Sequence, residues 1–324
     1  MKILITGGAG FIGSHLSEAL VATGDAVIAL DDLSTGNSAN LKNLENNPNF
    51  KFVSGSILDE ELVASLIESV DGVMHFAAAV GVQKILDDPI GSLKTNLLGS
   101  EIVLTNAAKF NKPTILASTS EIYGKNIQVP LTEESDRVLG SPLVARWTYS
   151  EAKAIDESIA HALHKKYNWP VKIVRLFNTV GPRQSAAYGM VIPRFIQAAL
   201  DNQPLIVHGD GTQQRVFCHI DDAIAGILAL WKTDEGAGEA YNLGGNEEVS
   251  IYELATRIIR LTKSSSAIKF VSYEDLSKDF DFILRRVPNS NKLTNLTGWM
   301  AKSDLSKILN DTVKHVISRT KWNS

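Results

Sequence analysis

Short apolar segments alternate with longer amphipathic segments along the first half of the chain. The apolar segments are rich in β-branched residues and predict strands at 2–6, 26–30, 51–55, 72–76, 114–118 and 171–177. Patterns of helical period separate them at 11–22, 59–69, 90–110 and 147–168. Strands that are apolar along their whole length are covered on both faces, which is typical of a parallel sheet between two layers of helices. The pattern therefore predicts a doubly wound α/β fold.

The pattern changes after about residue 180. Segments become shorter, and Gly and Pro recur in "VGPRQ", "HGDGTQQ" and "NLGGNEE". We therefore predict a large domain over 1–178, to which a later stretch at about 205–245 returns. A smaller C-terminal lobe over 179–324 is expected to be interleaved with it.

Composition limits the partners that the chain can have. Its 324 residues are 44% hydrophobic and carry a net charge of -4, so no basic field is available for nucleic acid or an acidic membrane. No segment approaches the ~18 consecutive apolar residues of a membrane span. The single cysteine, Cys218, excludes an internal disulfide and a multi-cysteine zinc site. We expect a soluble, cytoplasmic protein with no metal site.

A glycine-rich loop joins the first predicted strand to the first predicted helix. In "ITGGAGFIGSHL" the loop contains Gly7, Gly10 and Gly13, and Asp31 and Asp32 follow the second strand. Such glycines let backbone N–H groups approach a pyrophosphate, and an acidic residue ~20 positions later can bind ribose hydroxyls. The loop predicts a dinucleotide site, and the charge of Asp31 favours NAD over NADP. The alternatives are a plain tight turn and an Asp31 that only caps a loop.

A tyrosine and a lysine lie four residues apart in "RWTYSEAKAIDE", on a predicted helix. Tyr149 and Lys153 therefore share one helix face. The reference pKa of tyrosine is ~10, so a tyrosine base needs a nearby cation that stabilises its phenolate. Lys153 is expected to lower the pKa of Tyr149 and to hold the nicotinamide ribose. Taken alone, the pair could also be an exposed one on a solvated helix.

These motifs, with "STSEIYG", "RLFNTVGPR" and "YNLGG", resemble the extended short-chain dehydrogenase/reductase family over essentially the whole chain. The resemblance is to its NAD-dependent nucleotide-sugar epimerases and dehydratases. It implies a Rossmann NAD-binding domain and a nucleotide-sugar-binding lobe. It also implies that Thr119 and Ser120 hydrogen-bond the sugar C4 hydroxyl while Tyr149 takes its proton. The implied cofactor-binding residues are Gly7, Gly10, Phe11, Ile12, Gly13, Asp31, Asp32, Ser56, Ile57, Ala77, Ala78, Asn96, Tyr149 and Lys153.

The same resemblance implies a set of residues that bind a nucleotide-diphosphate sugar. The set is Asn178, Val191, Arg215 and one of Arg285 and Arg286, with Arg286 preferred. The resemblance implies that Arg215 and the chosen arginine clamp the diphosphate and that Asn178 donates to the sugar or the diphosphate. Two positions depart from the family pattern. Ser56 replaces an Asp that faces the adenine in many relatives, and Met190 replaces an Arg that is usual in UDP-glucuronate decarboxylases.

Glu121 leaves the reaction open. In the relatives that "TSE" resembles most, the UDP-glucuronate decarboxylases and GDP-mannose 4,6-dehydratases, this glutamate works near C5, whereas a 4-epimerase needs only the C4 machinery. We favour a UDP-glucose 4-epimerase-like reaction, with decarboxylation or 4,6-dehydration as alternatives. A catalytically silent NAD-binding regulator is the rival from another class. A homodimer through the helices at 90–110 and 147–168 is expected, since both carry apolar residues on more than one face.

The Tyr149→Phe variant should lose about two to four orders of magnitude in turnover, because it removes a positioned acid/base while leaving the fold intact. Steady-state kinetics together with an NAD-binding titration checks this expectation. Turnover above roughly a tenth of wild type, with NAD still bound, would exclude Tyr149 as the base.

Overall fold

The structure is a computed structural model, and it describes residues 1–81, 87–186, 190–273 and 283–320. Within these ranges a large parallel sheet forms the centre of the molecule, and three small sheets lie beside it. No described helix is long and apolar enough to cross a lipid bilayer.

Seven parallel strands form the large sheet in the order β11, β6, β5, β4, β1, β2, β3. The strands are β1 Lys2–Thr6, β2 Ala26–Asp31, β3 Phe50–Ser54, β4 Gly72–His75, β5 Thr114–Thr119, β6 Val171–Leu176 and β11 Ala240–Leu243. Strand order reverses between β1 and β4, so the loops after these two strands diverge and open a crevice at the carboxyl edge. The predicted doubly wound α/β fold is confirmed.

Helices cover both faces of this sheet. The longer described helices are α1 Phe11–Ala22, α2 Glu60–Glu68, α3 Pro89–Lys94, α4 Ser100–Lys109, α5 Arg146–Tyr167, α6 Val191–Leu200, α7 Ile220–Lys232, α8 Ile251–Thr262, α9 Asn291–Thr297 and α10 Leu305–Thr320. Successive side chains of β1 enter different cores: Ile3 and Ile5 pack with α1 and α7, and Leu4 packs with α2 and α4. This alternation explains why the strand is apolar throughout.

The predicted helix at 90–110 is divided in the structure. Helix α3 ends at Lys94, a π-helical turn spans Thr95–Gly99, and α4 begins at Ser100. Within the π-helical turn, the Asn96 side chain accepts from the Ala79 backbone N–H at 2.7 Å and donates to the Ala79 carbonyl at 3.0 Å. Asn96 therefore ties this turn to the segment that follows β4.

The smaller lobe has its own core and three small sheets. Strand β9 Gln214–Val216 pairs with β12 Glu248–Ser250 and β14 Arg285–Arg286. Two further pairs are β8 Leu205–His208 with β13 Ile268–Val271, and β7 Thr179–Val180 with β10 Cys218–His219. Helices α6, α8 and α10 pack against β8 around this core.

The return of the chain to the large sheet is shorter than the predicted stretch at about 205–245. Leu205 and Val207 pack in the core of the small lobe. The segment from Ile220 to Leu243 packs on the large sheet and supplies its last strand. That strand is only four residues long, with the sequence "AYNL", which gave too little periodicity to be predicted by itself.

Candidate active site

A cavity of about 760 Å³ lies at the carboxyl edge of the large sheet and extends to the small lobe. It is lined by residues that follow β1, β2, β4, β5 and β6, and by residues of α5, β8, β9 and β14. In parallel α/β folds the carboxyl ends of the strands form the ligand crevice. The cavity is therefore the candidate active site.

The glycine-rich loop closes one end of the cavity with very little space between its backbone segments. Gly7 has a φ of +70°, and a Cβ at Gly13 would lie 2.1 Å from the Gly7 carbonyl oxygen. No residue with a side chain could replace Gly13 without moving this loop. Backbone N–H groups at the start of α1 are thus free to approach an anion, as a dinucleotide pyrophosphate requires.

Asp31 lies at the end of β2, beside this loop. Its carboxylate accepts from the Ala9 N–H at 3.0 Å and from the Leu33 N–H at 2.8 Å, one bond on each oxygen. Burial raises the pKa of Asp31. Because each carboxylate oxygen has a second lone pair, Asp31 can still accept from two ribose hydroxyls. The geometry fits the dinucleotide that the sequence predicts.

The predicted cofactor-binding residues fall into two groups, those that line the cavity and those that do not. Those that line the cavity are Gly7, Gly10, Phe11, Ile12, Gly13, Asp31, Asp32, Ile57, Ala77, Ala78, Tyr149 and Lys153. Ser56 and Asn96 do not line it. The Ser56 hydroxyl accepts from the Leu58 N–H at 3.2 Å, and the Asn96 amide is bonded to the Ala79 backbone. Both residues shape backbone segments next to the cavity.

The turn after β5 brings the predicted catalytic hydroxyls and carboxylate into the cavity. Thr119, Ser120 and Glu121 all line it. The Thr119 hydroxyl accepts from the Glu121 N–H at 3.1 Å, which begins a single 3₁₀ turn over Ser120–Tyr123. Ser150 of α5 donates to the Glu121 carbonyl at 2.8 Å and so fixes the turn against the helix.

Tyr149 and Lys153 both face the cavity from α5, one turn apart. Tyr149 forms a hydrogen bond with Thr119. Burial, followed by the negative charges of Glu121 and Asp156, raises the pKa of Tyr149 well above its usual range. The Lys153 ammonium is paired with Asp156, at 3.2 Å. That Lys153 stabilises the Tyr149 phenolate stays a prediction.

Glu121 lies between two arginines. Its Oε1 accepts from Arg286 Nη1 at 2.6 Å, and its Oε2 lies 3.4 Å from Arg146 Nη2. Burial by itself would raise the pKa of Glu121, but the charges of Arg286 and Arg146 lower it to about 2. Arg215 lies close enough to contribute, and its own pKa is lowered to about 10 by burial and by the charge of Arg286. Glu121 is therefore an ionised carboxylate held in a cationic environment.

The two adjacent arginines have different environments. Arg285 is at the surface, where its guanidinium forms two bonds to Glu248 at 2.6 and 2.8 Å. Arg286 is 3% exposed and lines the cavity. Among the described residues, its Nε and Nη2 have no hydrogen-bond partner. A buried guanidinium with two unused donors is suited to an anion with two oxygens.

The remaining predicted substrate residues also line the cavity. Asn178 has a φ of +37°, and its side-chain amide donates to the Val216 carbonyl at 2.8 Å. Val191 is the first residue of α6. Arg215 donates to the Gln214 carbonyl at 2.7 Å and to the Ile283 carbonyl at 2.8 Å.

Sequence reasoning did not identify some lining residues. Arg146 lies three residues before Tyr149, hence one turn away on the same helix, and this spacing could have identified it. His208 and Tyr273 line the end of the cavity in the small lobe. No sequence motif marks these two residues. They reach the site because strands β8 and β13, which are far apart in the sequence, pair with each other.

The chain was compared with known proteins. The family model described as GDP-mannose 4,6 dehydratase matches residues 4–312. A UDP-N-acetyl-alpha-D-glucosaminuronate decarboxylase of Bacillus cytotoxicus is 38% identical over 317 residues, which are 97% of each chain.

Two solved structures are similar over nearly their whole length. A dTDP-glucose 4,6-dehydratase of Streptomyces venezuelae, crystallised with NAD, has a TM-score of 0.90 and 31% identity, and the match covers 99% of this chain and 98% of that one. A UDP-glucuronic acid 4-epimerase of Bacillus cereus, in complex with UDP-glucuronic acid and NAD, has a TM-score of 0.89 and 29% identity, with 98% and 100% covered.

The family model covers most of the chain, and the decarboxylase relative exceeds 30% identity over its whole length. The predicted family and its dependence on NAD are confirmed. The chain belongs to the NAD-dependent nucleotide-sugar epimerases and dehydratases of the extended short-chain dehydrogenase/reductase family, and it is an enzyme of that family.

Proposed function

We propose that the enzyme oxidises C4 of a UDP-linked sugar uronate and removes C6 as CO₂. The observation that carries this proposal is the buried guanidinium of Arg286, which has two unused donors beside the ionised Glu121. Arg146 and Arg215 add positive charge to the same part of the cavity. This positive charge favours an anionic substrate, and the forked donors of Arg286 suit a carboxylate. The decarboxylase name of the 38% identical relative supports the same class.

The glycine loop, Asp31 and Lys153 would hold NAD. Gly7, Gly10 and Gly13 provide the close backbone approach for the pyrophosphate, and Asp31 provides acceptors for the ribose hydroxyls. NAD, when bound, would supply a reversible hydride acceptor for C4 and a positive ring charge that favours the Tyr149 phenolate. Lys153 would donate to the hydroxyls of the nicotinamide ribose.

Oxidation at C4 requires a base for the hydroxyl proton. Tyr149 is bonded to Thr119, so its oxygen and the Thr119 hydroxyl can both reach one sugar hydroxyl. In the proposed step Tyr149 accepts the C4 hydroxyl proton while the C4 hydrogen leaves as a hydride. The product is a C4 ketone, hydrogen-bonded by Tyr149 and by Thr119 or Ser120.

The ketone makes loss of the C6 carboxylate possible without a further base. The C5–C6 bond breaks, and its electron pair moves towards C4, whose oxygen carries the charge as an enolate. CO₂ departs, a proton from water adds to C5, and Tyr149 returns its proton to the C4 oxygen when the ketone is reduced. Arg286 would orient the carboxylate before cleavage, and the negative Glu121 would fix the guanidinium in place.

Dehydration is less well supported by this geometry. It needs a base that removes the C5 hydrogen and an acid that protonates the departing C6 hydroxyl. A glutamate with a pKa of about 2 is a weak proton acceptor, since general bases work best near the operating pH. The neighbouring Ser120 offers only a hydroxyl, which is a poor proton donor.

A 4-epimerase, which the sequence analysis favoured, is the second candidate. It needs only Thr119 or Ser120, Tyr149, Lys153 and NAD. Met190 lines the cavity where decarboxylases of the family usually carry an arginine, which favours this candidate. The UDP-glucuronic acid 4-epimerase with a TM-score of 0.89 shows that a similar fold is compatible with a uronate that keeps its carboxylate.

Incubation with a panel of nucleotide sugars distinguishes the reactions by product mass. With UDP-glucuronate or UDP-N-acetylglucosaminuronate we expect a loss of about 44 Da. With dTDP-glucose and GDP-mannose, whose hexoses carry no carboxylate, we expect no turnover. An altered retention time without a mass change would replace the proposal by epimerisation. A loss of about 18 Da from a neutral hexose would replace it by dehydration.

Arg286→Lys should lower kcat/KM for the uronate about tenfold to a hundredfold. Lysine keeps a charge for Glu121 but cannot offer the forked donors, and hydrogen bonds to charged groups contribute about 1.5–3 kcal/mol. Arg285→Lys is the matched control, since it makes the same change one residue away at the surface, and its kinetics should equal wild type. Equal losses in the two variants would contradict a carboxylate role for Arg286.

A homodimer through the helices at 89–109 and α5 is part of the proposal. Ile90 and Leu98 of the first stretch and Ile155 of α5 are 68%, 49% and 46% exposed, and the stretches contact each other. Large exposed apolar residues on adjacent helices favour an interface. Light scattering at micromolar concentration should give twice the monomer mass, and a monomer would contradict the proposal.

The cytoplasmic location stays a prediction.

A further inference from the structure

A carboxylate lies beneath the proposed acid/base pair and takes no part in the reaction derived above. Asp156 is completely buried, and its Oδ2 lies 3.2 Å from the Lys153 ammonium, which is 2% exposed. Lys153 has no other ion-pair partner among the described residues. The second oxygen, Oδ1, is buried and has no hydrogen-bond partner within the described ranges.

Helix geometry puts these groups on one face. Tyr149, Lys153 and Asp156 are at positions i, i+4 and i+7 of α5, so the carboxylate lies about two turns from the tyrosine and one turn from the lysine. The Lys153 ammonium therefore contacts the Asp156 carboxylate on one side and lines the cavity on the other.

Within the described part of the chain, the surroundings of Asp156 supply no second cation. The Ser100 hydroxyl of α4 faces the carboxylate and also lies 3.1 Å from His75 Nε2. His75 is buried, and its Nδ1 lies 2.6 Å from the Thr6 hydroxyl. Burial and the charge of Lys153 lower the pKa of His75 well below its usual value, so this ring is neutral. The nearby Glu157 is bonded to Arg175.

We propose that Asp156 is a positioning residue of the acid/base site, which anchors the Lys153 ammonium beneath Tyr149 and balances its charge. A buried ammonium with one fixed counter-ion has few alternative positions, so its remaining donors are directed towards the cavity. The inference rests on the C4 oxidation of the proposed function. That step is common to decarboxylation, epimerisation and dehydration.

The charge balance has a consequence for Tyr149. The groups that act on its hydroxyl are Thr119 and Glu121 from the turn after β5, and Asp156 from its own helix, which is paired with Lys153. The negative charge of Asp156 opposes formation of a phenolate and therefore raises the pKa of Tyr149. Replacing Asp156 by a neutral residue should lower that pKa, because it removes a like charge and leaves the Lys153 ammonium without its counter-ion.

The test is a spectroscopic titration of the tyrosine phenolate in Asp156→Asn and wild type. The signal of Tyr149 is obtained as the difference between each protein and the same protein with Tyr149→Phe, since the chain has seven tyrosines. We expect the phenolate to form at lower pH in Asp156→Asn. Coincident titrations would overturn the proposal.

Three variants separate charge from general structural damage. Asp156→Glu keeps the charge and should titrate like wild type. Glu151→Gln makes the same charge change on the same helix, away from the Lys153 ammonium, and should leave the titration unchanged; an equal shift there would overturn the proposal. If Asp156→Asn does not fold, Asp156→Ser provides a smaller neutral replacement with the same expected direction.

Kinetics provide a second readout. The acidic limb of kcat/KM against pH reports the essential base in the free enzyme, so it should move to lower pH in Asp156→Asn, while the maximum of the profile falls because Lys153 has lost its anchor. The titration needs no substrate. Failure of the titration would therefore reject the role of Asp156 alone, and failure of the product assay would reject the proposed reaction alone.

Discussion

The arrangement of the site depends on one largely buried ion pair, between Arg175 of β6 and Glu157 of α5. The guanidinium binds both carboxylate oxygens, with a closest contact of 2.7 Å, and the Ser118 hydroxyl of β5 donates to the same carboxylate at 2.5 Å. Glu157 is one turn beyond Lys153, which is itself one turn beyond Tyr149. The pair therefore fixes the helix that carries the acid/base residues against the strand that ends in Thr119.

Arg175 also connects this helix to more distant parts of the chain. It donates to the Tyr123 hydroxyl at 2.8 Å and to the Glu133 carbonyl at 2.8 Å. Tyr123 in turn donates to Asn242 of β11 at 2.7 Å, and burial raises the pKa of Tyr123 to about 12, so it stays a donor. Removing one partner of a buried pair typically costs about 3–5 kcal/mol, because the other charge is left without compensation. Such a loss would loosen the turn of Ser120 and Glu121 together with the helix.

Features set by local sequence patterns could be predicted from the sequence. Features that depend on contacts between residues far apart in the chain could not. The strands and the glycine loop are encoded by local apolar runs and by glycines that tolerate close backbone contact. The choice between Arg285 and Arg286 depends on which face of a two-residue strand meets the cavity, and the register with Arg215 decides it. The pairing of Lys153 with Asp156 could not be predicted, since the spacing of Tyr149 and Lys153 does not show which carboxylate meets the ammonium.

The path of the chain between the two lobes constrains how such an enzyme can be altered. The segment from Ile220 to Leu243 leaves the small lobe, completes the large sheet and is followed by β12 of the small lobe again. The small lobe is therefore not one continuous segment of the chain. Exchanging a single segment with a homologous enzyme cannot replace the whole lobe. Transfer of the small lobe from another enzyme must replace several separated segments at once. Point substitutions at residues such as Met190 or Arg286 leave the path of the chain between the two lobes unchanged.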